Sequence, residues 1–246
     1  MRRGGKRIRA GDQRSLSDSQ CGEQLICIGR WRQKPAEYHT DMAEAGNQAV
    51  KKEILKKQIK ERKETRMKKN IGKSLALYPT PLVVVGTMVN GKPNYVLVGH
   101  GGIIGHDRIM VSLAKPHYTN QGIKETKALT VSIVDESMLA KADRAGCVSG
   151  NKADKSDLFA FHTEGTGAPV IDEAPVVMDC TVDDVYETEG FESFICKIDG
   201  VYAEENVLNE NGKIDYHTLK PVLFEMPTYE YLRTGDVIGK CMNINQ

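Results

Sequence analysis

The sequence predicts a mainly β domain: an antiparallel barrel, closed or nearly closed, with short helical insertions, preceded by a basic leader. Three observations predict it. After Leu75 the chain carries six or seven runs rich in Val, Ile, Phe and Tyr, set off by turn signals. Long helical patterns do not alternate with those runs, which argues against a doubly wound parallel sheet. The charge reverses near residue 70: residues 1–70 hold 19 Lys+Arg against 9 Asp+Glu, and residues 71–246 hold 15 against 24. A net of +10 followed by −9 marks two segments with different physics.

The leader comes first. Arg2, Arg3, Lys6, Arg7 and Arg9 crowd its start, and residues 1–47 show no sustained hydrophobic period. Residues 48–69 read as a helix with Lys and Arg around most of its circumference. Its apolar positions, Val50, Ile54, Leu55, Ile59 and Met67, are too few to anchor a core. Three readings stand: a tail for nucleic acid or an acidic surface, a transit peptide, and a tail without a folded role or a stretch upstream of the native start at Met67. The nine acids argue against a transit peptide, and the last reading is preferred. Residues 1–66 are thus set apart as a leader and 67–246 as the folded domain.

Within that domain Pro81–Met88 is a β-branched run with period-two character. Asn90-Gly91 is a strong hairpin signal, and Asn94–Gly99 is the returning strand. Ile109–Ala114 and Leu129–Val134 are further strands, separated by a short helix from Thr119 to about Thr126 with Thr119 as its N-cap. Ser137–Arg144 reads as a helix. Val176–Tyr186 and Glu192–Tyr202 are two longer strands. Asn211-Gly212 marks a turn, Tyr216–Leu219 a helical turn, and Val222–Glu225 the last strand.

Several function classes are set aside. No run approaches the length of a membrane span. Nothing reads as a secretory signal, so a cytoplasmic protein with reduced thiols is expected. The cysteines at 21, 27, 147, 180, 196 and 241 form no CxxC pair and no metal spacing. Cys147 is expected to be a small buried apolar group. His100, His106 and His117 lack the carboxylate spacing of a metal site. Gly99, Gly101, Gly102 and Gly105 follow a strand, but Ile104 occupies the place that should close a dinucleotide fingerprint, and a strand follows where a helix is needed. A sharp, wide connection is expected there. Strand aromatics are too sparse for a nucleic-acid platform.

The polar residues that remain favour an anion. Ser112, Lys115, His117, Tyr118 and Thr119 cluster after the third strand, where a helix start adds free amides and the positive end of a dipole. Ser149-Gly150-Asn151-Lys152 with Lys155 is a second, small-residue turn carrying two lysines. Solvated surface lysines are the plain alternative. No nucleophile elbow or acid–base pair is evident, as expected when a bound cofactor carries the chemistry.

Five stretches, LYPTPLVVVGT, GKPNYVLVGHGGI, IMVSLAKPHYTNQGIKET, GCVSGNKADKS and KPVLFEMPTYEYLRTGDVIGK, resemble the flavin reductase-like family, flavoredoxins included. They occur in the family's order and cover about residues 67–246. The resemblance implies an FMN-binding split β-barrel. It implies an oxidoreductase that takes electrons from NAD(P)H and passes them to free flavin or another small-molecule or protein acceptor. A flavoredoxin-like carrier without nicotinamide activity is the alternative. It also implies a homodimer, with neither nucleic acid nor membrane as partner.

By resemblance, Asn94, Tyr95, Val96, Leu97, Val98, Gly99 and His100, with Gly101 and Gly102, run along the flavin ring. Ser112, Leu113, Ala114, Lys115, Tyr118 and Thr119 approach the ribityl chain and phosphate. Ser149, Gly150, Asp154 and Lys155 lie near the phosphate too. The chain departs from the family at Leu97 and His100, where Thr and Trp are common, and at Ser156, where Phe is usual. The first two departures bear on potential and substrate more than on FMN binding, and they make His100 a candidate tuning residue.

Overall fold

The computed structural model describes residues 45–64 and 68–243. The basic cluster at residues 2–9, Cys21, Cys27 and Met67 lie outside the described residues. The chain divides into two compact units, residues 1–70 and 71–246. In the first, α1 (Ala45–Glu64) starts earlier than the lysine pattern suggests. Its residues 51–60 are all exposed, Ile54, Leu55 and Ile59 among them, because charge runs around the helix and leaves no apolar stripe to bury.

The second unit is built on a curled antiparallel sheet of seven strands in the order β3-β2-β6-β9-β10-β5-β4. Its strands are β2 (Val83–Val89), β3 (Lys92–Val98), β4 (Gly101–Ile103), β5 (Arg108–Ala114), β6 (Ala128–Ile133), β9 (Val176–Glu187) and β10 (Phe191–Ala203). Alternation puts Val83, Val85, Val96, Val98, Val111, Leu113, Leu129, Val131, Phe194 and Cys196 into one apolar interior. This is the split barrel expected from the runs after Leu75. Asn90 (φ 51°) and Gly91 (φ 76°) both take left-handed backbone, the turn that Asn-Gly predicts between β2 and β3.

A second apolar layer lies on the opposite face of β2, β3 and β6. Leu82, Val84, Tyr95, Val134, Met138, Ala142, Phe159 and Ile171 pack there. It is covered by α3 (Leu139–Cys147) and by the ribbon β7 (Phe161–Thr163) and β8 (Pro169–Ile171). A small sheet of β1 (Thr80–Pro81), β11 (Leu223–Glu225) and β12 (Glu230–Leu232) stands beside the large one. Helix α2 (Thr119–Thr126) bridges β5 and β6, and α4 (Tyr216–Leu219) is a single turn capped by Asp215.

Several elements differ from the pattern-based expectation. The run at Pro81 splits into β1 and β2, because Leu82 leaves the ladder: its amide donates to Val222 O and its carbonyl accepts from Val134 N. The glycine-rich connection contains β4, which pairs with β5 through backbone alone and so has no side-chain signature. Thr119 does not cap α2. Tyr118 holds the cap position without a side-chain bond, and Thr119 Oγ1 accepts from Asn94 Nδ2 at 2.8 Å. Helix α3 starts later than Ser137, because Asp135 Oδ1 accepts the amides of Ser137 and Met138 in the preceding turn. The strands β7, β8 and β12 are too short to carry a period. Cys147 is exposed, not buried. Lys155, open to reading as a surface charge, is buried.

Candidate functional site

The end of β3 and the end of β5 meet at one place. Ser112 N donates to His100 O at 2.8 Å, and Thr80 Oγ1 donates to Gly99 O at 2.7 Å. These bonds hold His100 against β5 and Gly99 against β1. Gly99 must lack a side chain, because a Cβ there would stand 2.7 Å from the Phe224 ring. A cleft of about 570 Å³ opens over this junction, within the usual size of a small-molecule site. Leu97, Val98, Gly99, His100, Ser112, Leu113 and Ala114 line it. Asp143, Gly146 and Cys147 of α3 line another part, and Phe224, Met226, Tyr229 and Tyr231 of the β11–β12 hairpin a third. Tyr231 Oη donates to Asp143 at 2.5 Å and ties the hairpin to α3.

A second cavity of about 380 Å³ shares Gly99, His100, Ser112 and Phe191 with the first. His100 stands at the junction. Its Nε2 is 3.0 Å from Tyr78 Oη, and its ring meets the Phe191 ring edge-on at 5.6 Å. A third cavity of about 410 Å³ takes in Asn94, Tyr118, Gly150, Lys152, Asp154 and Lys155. A Cβ at Gly150 would come within 2.5 Å of Asn94 Oδ1 and 2.6 Å of Tyr118 Cδ1. Only glycine lets the 149–152 turn press against β3 and the start of α2.

The residues singled out from the sequence therefore fall into four places. Eight line the large cleft: Leu97 to His100, Ser112 to Ala114, and His117. Asn94, Tyr118, Gly150 and Lys155 gather at the third cavity, with Thr119 bonded to Asn94 and Ser149 exposed in the adjoining turn. Tyr95 and Val96 are core residues, on opposite faces of β3. Lys115 is exposed and pairs with Glu187 at 3.1 Å, directed to the β9–β10 hairpin and not to the 149–155 turn. Asp143, Phe191 and the hairpin aromatics also line the cleft and were not among the residues expected there. The aromatic density of residues 224–231 is the local signal for the last of these.

Electrostatics separate the parts. Lys155 is 8% exposed; its Nζ donates to the carbonyls of Tyr95 and Ala145, and burial brings its pKa down to about 8. Among the described residues no carboxylate pairs with it. His117, which lines the large cleft, is held below its ordinary value by burial and by the Lys155 charge. Lys155 thus stands near both the cleft and the uncapped start of α2. Asp143 pushes the Cys147 thiol up, and burial with the Asp143 bond pushes the Tyr231 phenol up. Cys147 is thereby kept as a thiol and Tyr231 as a neutral phenol.

The cleft has apolar and aromatic walls and peptide edges, and its one carboxylate is already committed to Tyr231. Beside it lie a helix start without a side-chain cap, whose Asn120 and Gln121 amides turn back to His117 O and Tyr118 O, and a buried cation that no carboxylate pairs with among the described residues. This donor set fits a flat ring carrying a phosphate. Among the described residues no group of three or more His, Cys, Asp or Glu gathers to hold a metal. No helix among them is long and apolar enough to cross a membrane.

Comparison with known proteins agrees with this chemistry. A flavin reductase like domain model matches residues 75–231. Flavoredoxin from Methanosarcina acetivorans is 31% identical, with TM-score 0.69, over 72% of this chain and 96% of that one. Flavoredoxin of Desulfovibrio vulgaris (Miyazaki F) is 32% identical, with TM-score 0.68, over 73% of this chain and 100% of that one. An FMN-binding protein from Thermus thermophilus, 19% identical with TM-score 0.60 over 68% of this chain and 96% of that one, shares the fold. No curated protein matches the chain. The family match spans most of the folded unit and both flavoredoxins align over nearly their whole length, so the chain belongs to the flavin reductase-like family.

Proposed function

We propose that the chain is an FMN-binding oxidoreductase that takes electrons from NAD(P)H and passes them to free flavin or another acceptor. The observation that carries this reading is the pairing of an apolar, aromatic cleft with the α2 start, which has no side-chain cap, and the buried Lys155. FMN supplies the hydride chemistry when bound. Leu97 to His100 and Ser112 to Ala114 would hold the ring. Tyr118, Thr119 and Gly150, with the Lys155 charge behind them, would hold the phosphate end. The hairpin aromatics Phe224, Tyr229 and Tyr231 would exclude water, and His117 offers a neutral ring nitrogen at the cleft wall. A homodimer belongs to the proposal; exposed Ile103 and Ile104 on and beside the edge strand β4 support it.

A second reading is an FMN electron carrier that takes no nicotinamide, favoured by the likeness to two flavoredoxins. Titration with FMN, followed by its visible absorbance, tests both readings: no bound flavin sinks them together. Steady-state oxidation of NADH and NADPH by the FMN-loaded protein then separates them. Turnover supports the reductase; its absence, with reduction by a chemical donor intact, supports the carrier.

A further inference from the structure

The 380 Å³ cavity beyond His100 differs chemically from the cleft it adjoins. Among the described residues no Asp, Glu, Lys or Arg lines it. Its hydroxyls are already engaged: Ser112 and Ser193 with each other at 2.5 Å, Thr80 with Gly99 O, and Thr188 with the Phe191 backbone. Leu77, Met110 and Phe191 supply apolar surface. The imidazole of His100 has capacity left, since its hydrogen bond among the described residues joins Nε2 and Tyr78 Oη. Such a wall desolvates a ring readily and offers an anion no counter-charge.

We propose that this cavity binds an uncharged, flat, mostly apolar acceptor carrying a hydrogen-bonding oxygen, of the quinone class, and rejects its anionic analogues. Three features converge on that class. The lining carries no charge, so a sulfonate or carboxylate would lose its hydration for nothing. The His100 imidazole has a ring nitrogen left to meet an oxygen. The four shared residues place the cavity directly beside the cleft assigned to the flavin. The role as acceptor rests on the FMN reading above; the binding preference does not.

The test uses the full chain, with and without FMN, and isothermal titration with naphthoquinone and with its sulfonate. Naphthoquinone should bind, and the sulfonate at least about ten-fold more weakly. Leu77→Asp, at a residue 81% exposed and so tolerant of change, should weaken naphthoquinone about ten-fold and leave FMN affinity within about two-fold. His100→Phe should weaken naphthoquinone more than naphthalene. Equal binding of quinone and sulfonate would overturn the proposal, as would competition between naphthoquinone and FMN for one place. So would a Leu77→Asp variant whose sedimentation changes while its quinone affinity does not, since the face would then belong to a second copy. Failure of FMN to bind with the quinone contrast intact would sink the flavin reading and support the binding site.

Discussion

Lys155 carries a charge inward, and among the described residues no carboxylate pairs with it. It is held by two backbone carbonyls, one on β3 and one on α3, and its pKa stands at about 8 against an ordinary 10.5. A base whose folded value is depressed binds fewer protons folded than unfolded between those limits. The desolvation penalty is therefore full below about pH 8 and is relieved as pH rises toward 10.5. Lys155→Met removes the charge but strips both carbonyls of their donor, which should cost on the order of 1–3 kcal/mol at neutral pH. The gap between wild type and variant should widen as pH rises through that window. Denaturant titrations across it give the answer, and a constant gap would mean that Lys155 is not desolvated. His100 calls for a different measurement. His100 lines the cleft assigned to the flavin, so the midpoint potentials of the FMN-loaded wild type and His100→Gln should differ. Equal midpoint potentials would remove His100 from flavin tuning. At this scale the sequence marked the residue types well, but Lys155 and Lys115 look alike in it. Only packing distinguishes a buried cation from one shared with Glu187 on the surface.

Among the elements, α2 shows how closely the site is supported. Gly122 faces β2, and a Cβ there would lie 2.4 Å from Met88 O and 2.6 Å from Val89 Cγ2. Intrinsic propensity alone predicts that Gly122→Ala stabilises a helix by about 1 kcal/mol. The contact is with backbone that cannot turn aside, so the helix must lift from the strand, at a cost of roughly 1–3 kcal/mol. We expect a lower Tm and weaker FMN binding together, since Tyr118 and Thr119 move with the helix. A raised Tm would show that α2 does not sit this close. The helix itself was legible from residues 119–126, and so was the Asn90-Gly91 hairpin, because both rest on local rules. The strand β4 and the shift of α3 were not. One is made of backbone pairing to β5, and the other is displaced by a carboxylate that captures the amides ahead of the helix.

At the scale of the whole molecule, the break in charge near residue 70 coincides with the division into units 1–70 and 71–246. A fragment of residues 67–246 should fold, bind FMN and melt within a few degrees of the full chain, because both apolar layers and all three cavities are built from residues after 71. Calorimetry of the two proteins side by side is the measurement. An insoluble or flavin-free fragment, beside a competent full chain, would give the leader a folded role.

The sequence by itself determined the barrel and the succession of its main strands. Alternation of Val, Ile and Leu with polar residues is a period-two signal, and each strand carries its own copy. It also singled out residues that the fold gathers at two cavities: Leu97 to His100 and Ser112 to Ala114 at one, Gly150 and Lys155 at the other. Only the tertiary structure decided that these two sets line separate cavities, that Tyr95 turns into the core, and that the hairpin at residues 223–232 returns across the cleft to meet Asp143. The physical reason is distance along the chain. A bond between Tyr231 and Asp143, or a ring of Phe224 resting on Gly99, leaves no periodicity in either segment; it exists because the sheet curls and brings far residues within a few ångströms of each other.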